Sequence, residues 1–481
     1  MKSALRQGEI ATDYGSVWVR KLREIATDYG AIWVRKLREP FRAGKWVQCA
    51  LFALVCLSAI AAASAQGATS TQKITLSDGA RLLFRHEPDG DSLSITLFVR
   101  EETAASPMEE AIRRLVNSSL FYGSVHLSYD AAGELAGKIG SVSTRQTPDF
   151  VAISCITTPA RYRDAIYLLC EVIKNAEFAP EALERARATL LRLREERESD
   201  PFLAAYDQVS RTLRARYEPD AVQLRHVTQD QATSYFNTHF VPARTVFSVA
   251  GNIEQSAFQT SLDNNLFGYD RPGAPIPPGS SKPIIDVGRH ETQSSEAVPR
   301  GSVSYAMVAV DTPIITEPDF PAFCVLTTLL GGGNASRMFR EIRDEAGIGY
   351  SVGTALRPED GDPMVAYVEW DAAAAAGKPI TGPAVLKLIQ AQLESLTSNS
   401  AAITDAELER ARNFAAGQYI LRHERIQERC FLPGCYEAMG AGYTFDDDLP
   451  GLMTAVTKDD LLRAARKYLP VRVSALRIGS K

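Results

Sequence analysis

Histidine is scarce in this chain, and the histidines that occur are far apart. They are His86, His126, His226, His239, His290 and His423. None has a second histidine four residues away, which is the spacing that places two ring nitrogens on one helix face for zinc. The sequence therefore excludes the two common helical zinc-peptidase motifs, and these single histidines are interpreted as surface or capping residues.

Paired cysteine motifs are missing as well. No Cys-x-x-Cys occurs among the seven cysteines, so a cysteine zinc site is not expected. The five beyond the N-terminal region are an odd number, which leaves at least one thiol free or paired with another chain. Cys430 and Cys435 flank Leu432-Pro433-Gly434 and could close a small disulfide loop. Cys155, Cys170 and Cys324 lie in apolar stretches and are expected to be buried thiols.

A strong charge of either sign is also absent. The formal net charge is −5, which gives no reason to propose nucleic-acid binding. The hydrophobic fraction of 45% and the charged fraction of 23% are ordinary for a globular protein. With 481 residues, the chain is long enough for two or more domains with sizeable cores.

The N-terminal 45 residues contain a near-exact duplication. Glu9–Arg23 recurs as Glu24–Arg38 with only two changes. Two short copies are too few for a solenoid. Their tryptophans and basic residues could form a membrane-surface helix. The favoured interpretation is a duplicated basic leader, or a start codon placed too far upstream.

Residues 46–65 are the one long apolar run. They follow Lys45 and end in Ala63-Ser64-Ala65, and these features predict a signal peptide cut after Ala65. An uncleaved inner-membrane anchor is the alternative, because the run is nearly long enough to span a bilayer. The expected location is periplasmic or secreted.

The remaining chain divides into two α+β halves of ordinary domain size. Residues 71–267 alternate short strands with amphipathic helices and end in a strand at Thr245–Ala250. Residues 268–301 are rich in Pro, Gly and Ser and predict a linker. Residues 302–481 repeat the strand–helix order, which suggests a structural duplication.

The most informative stretch runs from Leu329 to Val352. Gly331-Gly332-Gly333 predicts a tight turn between two helices, Ser336 is placed to cap the second helix, and Gly347 is placed to end it. Arg343 and Tyr350 then lie seven residues apart across that helix end.

This stretch resembles the C-terminal domain of the insulinase/pitrilysin (inverzincin) peptidases, the family of the mitochondrial processing peptidases. The resemblance implies two homologous-looking α/β-sandwich halves, each with a mixed, largely antiparallel sheet packed by helices, forming a clamshell. It also implies that Arg343 and Tyr350 bind the substrate near the scissile bond, and that an edge strand binds the peptide backbone.

The family's zinc-binding helix is altered in this sequence. Active members carry His-x-x-Glu-His, whereas the matching register here gives Arg114, Asn117 and Ser118. Arginine cannot ligate zinc and asparagine cannot act as a general base. Leu193 falls near the position of the third zinc ligand, with Glu195 and Glu196 beside it.

The resemblance therefore predicts a non-catalytic subunit that binds substrate. Such a chain would bind no cofactor and would supply Arg343 and Tyr350 to a homologous partner subunit that carries the zinc. Its expected ligand is a peptide or an unfolded polypeptide, with the membrane involved only if the leader is uncleaved. A peptide-binding or scaffold protein of the same fold, and an active metalloendopeptidase with an unrecognised metal site, are the alternatives.

Overall fold

The computed structural model describes residues 70–214, 217–276, 293–298, 303–371, 380–398 and 403–479. The predicted leader and signal peptide lie outside these residues, as does much of the predicted linker. The described residues of both halves cluster in one compact unit. Among them, no helix combines the length and the apolar character needed to cross a membrane.

The N-terminal half builds a six-stranded sheet. The strands are β1 Gln72–Thr75, β2 Arg81–His86, β3 Leu93–Arg100, β4 Ser141–Gln146, β5 Phe150–Thr157 and β6 Thr245–Gly251. Their order is β1-β2-β6-β3-β5-β4, and all neighbours are antiparallel except β2 and β6. The central strands are buried on both faces, because helices cover both sides.

Eight helices accompany this sheet in the described residues. They are α1 Pro107–Ser119, α2 Tyr129–Ile139, α3 Tyr162–Lys174, α4 Pro180–Ser199, α5 Pro201–Arg214, α6 Ala221–His226, α7 Gln229–His239 and α8 Gln255–Leu266. Helix α1 begins where Ser106 accepts a hydrogen bond from the Glu109 amide, with Pro107 in its first turn. Leu115 and Val116 then bury its apolar side.

The C-terminal half repeats the plan with five described strands. They are β7 Gln293–Val298, β8 Val303–Val310, β9 Ser351–Ala355, β10 Met364–Asp371 and β11 Val471–Gly479. The helices are α9 Phe320–Gly331, α10 Gly382–Ser398, α11 Asp405–Arg422, α12 Ile426–Met439, α13 Phe445–Ala455 and α14 Lys458–Tyr468, and a π-helix spans Phe339–Glu345.

The two sheets have matching topologies. The second sheet has the order β7-β11-β8-β10-β9, and its one parallel pair, β7 with β11, occupies the place of β2 with β6. This confirms the predicted fold class of two similar sheets packed by helices. One detail is a correction: part of the predicted linker, Gln293–Val298, is an edge strand of the second sheet.

One helix of each half packs on the sheet of the other half. Helix α5 of the N-terminal half packs on β8 and β11, and helix α12 of the C-terminal half packs on β3 and β6. Phe202 of α5 contacts the rings of Tyr305 and Tyr367 at centroid distances of 5.7 and 5.2 Å. Gly434 of α12 lies so close to β3 that an added Cβ would be 2.4 Å from the Phe98 ring. The two halves are therefore interlocked through their cores.

Candidate functional site

The glycine-rich turn is required by close backbone packing. A Cβ on Gly331 would lie 2.4 Å from the amide nitrogen of Thr354 in β9, and Gly333 has a φ of +77°. Arg337 then anchors the turn with two hydrogen bonds of 2.6 and 2.8 Å to the carboxylate of Glu407 on α11. These contacts fix the segment that leads to Arg343.

The helix after the turn differs from the sequence prediction. A helix was expected over Ala335–Glu345 with Ser336 as its cap, but the Ser336 side-chain oxygen is buried without a hydrogen bond and does not cap. Residues Phe339–Glu345 form a π-helix, and the Ala346 amide bonds to the Glu341 carbonyl five residues back. Gly347 follows with a φ of +66°, which suits its predicted place after the helix end.

The structure brings Arg343 and Tyr350 together. The Arg343 guanidinium carbon lies 5.1 Å from the Tyr350 ring centroid and 4.5 Å from that of Phe339. Tyr350 is 63% exposed and precedes β9, the outermost described strand on that side of the sheet. Within the described part of the chain, no carboxylate pairs with Arg343. Two aromatic rings therefore restrict the position of a guanidinium group whose donors have no carboxylate partner there.

Phe339 was missed by sequence reasoning. Its four-residue spacing to Arg343 is a signal that could have identified it, since residues at that spacing share a side of a helix. The serine of Gly349-Tyr350-Ser351-Val352-Gly353 was also overlooked, although it has the Gly-x-Ser-x-Gly spacing. Ser351 starts β9 in a β-hairpin with β10, whereas a nucleophile elbow joins a strand to a helix. The Gly-x-Ser-x-Gly pattern around Ser351 therefore does not indicate a nucleophilic serine.

The predicted zinc-motif positions on helix α1 form hydrogen bonds and ion pairs within the protein. Arg114 pairs with Glu110 at 2.7 Å and with Glu218 at 2.9 Å. Asn117 is buried, and its amide nitrogen donates to Glu101 at 2.9 Å. Ser118 accepts a hydrogen bond of 3.0 Å from the Gln146 side chain.

Beneath these residues lies a fully buried ionic network. Glu101 accepts from Arg113 at 3.2 Å and from the Tyr235 hydroxyl at 2.9 Å. Burial raises the pKa of Glu101, and Arg113 opposes that rise only in part. Burial alone would raise the pKa of Glu110 too, but Arg113 and Arg114 hold it below its ordinary value. The guanidinium groups supply the positive charge at this end of α1.

These residues do not fit a zinc ion. The guanidinium of Arg114 has no lone pair to offer, and the Asn117 amide nitrogen is bound to Glu101. Leu193 is 44% exposed, and Glu196 pairs with Arg192 on the outer side of α4. In the part of the chain that the structure describes, no group of three His, Cys, Asp or Glu residues is arranged to hold a metal.

A cavity of about 530 Å³ opens above the altered helix. Arg114, Ser118 and Leu193 of the N-terminal half line it, as does Asp360 of the C-terminal half. Arg145 crosses between the halves to Asp360 at 2.7 Å, so residues of both halves enclose the space.

The suggested disulfide between Cys430 and Cys435 is not formed. Both thiols are free and buried on helix α12, where a five-residue separation directs the side chains to different sides. Cys430 contacts the Ser248 carbonyl at 3.1 Å, and Cys435 contacts Met439. Pro433 suggested a loop, but it lies inside the helix.

Comparisons with known proteins match the C-terminal part of the chain to a family model. Residues 226–414 match the family model described as the peptidase M16 inactive domain. An uncharacterized zinc protease of Streptomyces coelicolor is 25% identical over 329 residues, which cover 66% of this chain and 68% of that protein. One of Mycobacterium leprae is 26% identical over 372 residues, covering 73% and 78%. These matches show a peptidase M16 inactive-type domain over residues 226–414, in a chain whose relatives are named as uncharacterized zinc proteases.

Solved structures share the fold. A protease from Helicobacter pylori matches with a TM-score of 0.72 and 14% identity, over 85% of this chain and 99% of that chain. A peptidase M16 inactive domain from Pseudomonas fluorescens matches with a TM-score of 0.72 and 17% identity, over 86% and 98%. The periplasmic protease PqqL from Escherichia coli matches with a TM-score of 0.64 and 14% identity, over 86% of this chain but 46% of that chain. The assignment of Arg114, Asn117 and Ser118 to the zinc-motif positions stays a prediction.

Proposed function

We propose that this chain is the non-catalytic, substrate-binding subunit of a secreted or periplasmic zinc-peptidase heterodimer. It presents Arg343 and Tyr350 to the active site of a homologous partner that holds the zinc ion. The observation that carries the proposal is the ring-supported Arg343 beside the exposed Tyr350, in a chain whose matching helix has no histidine.

The chemistry of the pair suits peptide binding. The Arg343 guanidinium can donate two hydrogen bonds to a substrate carbonyl or carboxylate, and the stacked rings reduce its freedom before binding. The Tyr350 hydroxyl can donate to a substrate carbonyl or to an oxyanion that develops in the partner's site. The neighbouring edge strand β9 can pair with an extended peptide by strand addition.

The size of this chain supports a two-subunit arrangement. Its fold takes up 46% of the single chain of PqqL, which leaves room there for a second unit of similar size. A periplasmic site of action is supported by the predicted signal peptide and by the stated location of PqqL.

An affinity purification of the tagged protein from its native host tests the partner first. We expect a homologous chain bearing His-x-x-Glu-His to co-purify in equal amount. Recovery of the protein alone, or only with itself, would contradict the heterodimer and favour a scaffold role. Stoichiometric zinc in the isolated chain would contradict the non-catalytic assignment.

Peptidase assays of the reconstituted pair then test the two residues. Arg343→Ala is expected to lower kcat/KM about tenfold to a hundredfold, because a charge-assisted hydrogen bond of about 1.5–3 kcal/mol is lost. Arg340→Ala is the matched control, since Arg340 is exposed on the same π-helix. Equal activity of both variants would remove Arg343 from the site.

A further inference from the structure

The cavity above the altered zinc helix has an excess of positive charge. Seven arginines and six carboxylates line it. Five arginines have carboxylate partners there or directly beneath: Arg113 with Glu110, Arg114 with Glu110 and Glu218, Arg145 with Asp360, Arg194 with Glu198, and Arg197 with Asp207. The sixth carboxylate, Asp362, accepts a hydrogen bond from the Tyr206 hydroxyl at 3.1 Å.

Two arginines remain without a carboxylate partner among the described residues, namely Arg211 and Arg357. Arg211 uses its Nε to donate to the Asp207 carbonyl at 3.1 Å, which leaves its terminal nitrogens available. The Arg357 guanidinium lies 5.5 Å from the ring of Tyr206, a stacking contact that orients the group without using its donors. One comes from each half of the chain, and both line the same space.

One hydroxyl group adds a further donor to the cavity lining. Ser118 accepts from Gln146, and its own hydrogen has no acceptor among the described residues. Together with the two available guanidinium groups, this hydroxyl favours a ligand rich in hydrogen-bond acceptors.

Three apolar side chains also line the cavity, namely Leu190, Leu193 and Pro148. The leucines share helix α4 with the paired charges of Arg194, Arg197 and Glu198, and Leu193 stands where the family resemblance places a zinc ligand. The cavity volume of about 530 Å³ is in the range of sites for small ligands. A ligand with a carboxylate at one end and an apolar group beside it would match both kinds of lining residue.

We propose that this cavity binds a carboxylate next to an apolar group, held by Arg211 and Arg357 with Leu193 against the apolar part. A peptide with an apolar C-terminal residue and a free small carboxylic acid both offer this chemistry. The site is separate from Arg343 and Tyr350. It is a property of this chain alone and does not depend on a peptidase partner.

Isothermal titration calorimetry on the purified protein tests the site with defined probes. Acetyl-Ala-Ala-Leu with a free carboxylate is expected to bind, and its C-terminal amide is expected to bind at least tenfold more weakly. The affinity for the acid should fall as sodium chloride is raised, because the recognised group is charged. Acetyl-leucine distinguishes a peptide C-terminus from a small acid as the ligand. If its affinity is close to that of the peptide, the site is assigned to small apolar acids. If succinate binds as tightly as either, the apolar residues of the lining contribute nothing to binding.

The variant Arg211→Gln/Arg357→Gln is expected to weaken binding of the peptide acid at least tenfold. Arg192→Gln is the control, because Arg192 pairs with Glu196 on the exposed side of α4 outside the cavity lining. Circular dichroism melting checks that both variants fold. No binding of the acid, equal binding of acid and amide, or an unchanged affinity in a folded double variant would each overturn the proposal. Since no partner is present in this experiment, its failure leaves the role of Arg343 untouched.

Discussion

At the scale of single residues, Arg113 is the central positive charge of the buried ionic network on helix α1. It is buried and bonds to Glu101, Glu110 and the Thr147 carbonyl. Its neighbour Arg114 is 28% exposed and pairs with partners that have other contacts. We therefore expect the two adjacent arginines to contribute very differently to the free energy of unfolding.

Arg113→Ala is expected to destabilise the protein by about 3–5 kcal/mol, because it leaves buried Glu101 without its positive partner. Arg114→Ala is the matched control and should cost about 0–1 kcal/mol, since its ion pairs are partly solvated. Urea unfolding followed by tryptophan fluorescence measures both. Equal losses would show that the buried network does not carry the stability assigned to it.

His423 links stability to pH at a second position. Its Nδ1 contacts the Tyr419 carbonyl at 3.0 Å, and its Nε2 contacts both oxygens of buried Asp446 at 3.0 Å. Burial would lower the pKa of His423, but the hydrogen bonds and charge of Asp446 raise it above the ordinary value.

Because the folded-state pKa is raised, the stabilisation by His423 is fully present below about pH 6.5, the pKa of an unfolded histidine. It is lost as the pH rises through the higher folded-state pKa. The difference in free energy of unfolding between the native protein and His423→Gln should therefore be largest near pH 5.5 and shrink above neutrality. Denaturant titrations at several pH values measure it, and a constant difference would contradict the assigned ion pair.

At the scale of elements, two helix glycines differ in what surrounds them: Gly434 packs closely against a strand, whereas Gly417 has open space beside it. Gly434→Ala is expected to destabilise by about 1–3 kcal/mol, because its Cβ would overlap the Phe98 ring under helix α12. Gly417→Ala on helix α11 should instead stabilise by about 0.5–1 kcal/mol, since nothing lies within 4 Å of its Cβ. Thermal melting of the two variants checks the opposite signs, and shifts of one sign would refute the packing of α12.

Sequence patterns predicted many elements with a local signal. The apolar run Val303–Val310 predicts a strand and the amphipathic pattern of Lys458–Tyr468 predicts a helix, and both elements occur with these bounds, because each pattern depends only on neighbouring residues. Helix α12 was missed since Pro433 and Gly434 suggest a turn. Tertiary packing on β3 and β6 favours helix there, a preference that no local pattern records.

The candidate site was predictable only in part. The seven-residue spacing of Arg343 and Tyr350 identified a pair that the structure places in contact. The π-helix and the ring of Phe339 beneath Arg343 depend on how the glycine turn packs on β9, which the sequence does not show. Arg211 and Arg357 of the cavity come from different halves of the chain. Because they are far apart in the sequence, no local pattern indicates that they line the same space.

At the scale of the whole molecule, the five cysteines that lie in the described residues form no cross-links. Cys155, Cys170, Cys324, Cys430 and Cys435 are all free thiols, and all but Cys324 are fully buried. Burial raises the pKa of Cys155 and of Cys324 to about 12, which suppresses the reactive thiolate.

Iodoacetamide labelling with mass spectrometry is therefore expected to modify these five cysteines only after the protein is unfolded. The native protein should remain unlabelled at Cys155 and Cys430 at pH 8. Recovery of a Cys430–Cys435 cross-linked peptide without prior reduction would refute the helical geometry of α12 in solution.

The exchange of helices between the halves also sets an order for synthesis on the ribosome. The first sheet is complete once Gly251 has emerged, but helix α12, which covers its second face, begins roughly 170 residues later. At 5–20 residues per second, that face waits about ten to thirty-five seconds. That face carries the hydroxyl groups of Thr96, Ser154 and Ser248 beside the rings of Phe98 and Phe150, which pack on Phe431 of α12 in the finished protein. A nascent N-terminal half therefore exposes apolar rings together with hydroxyl groups until helix α12 is made.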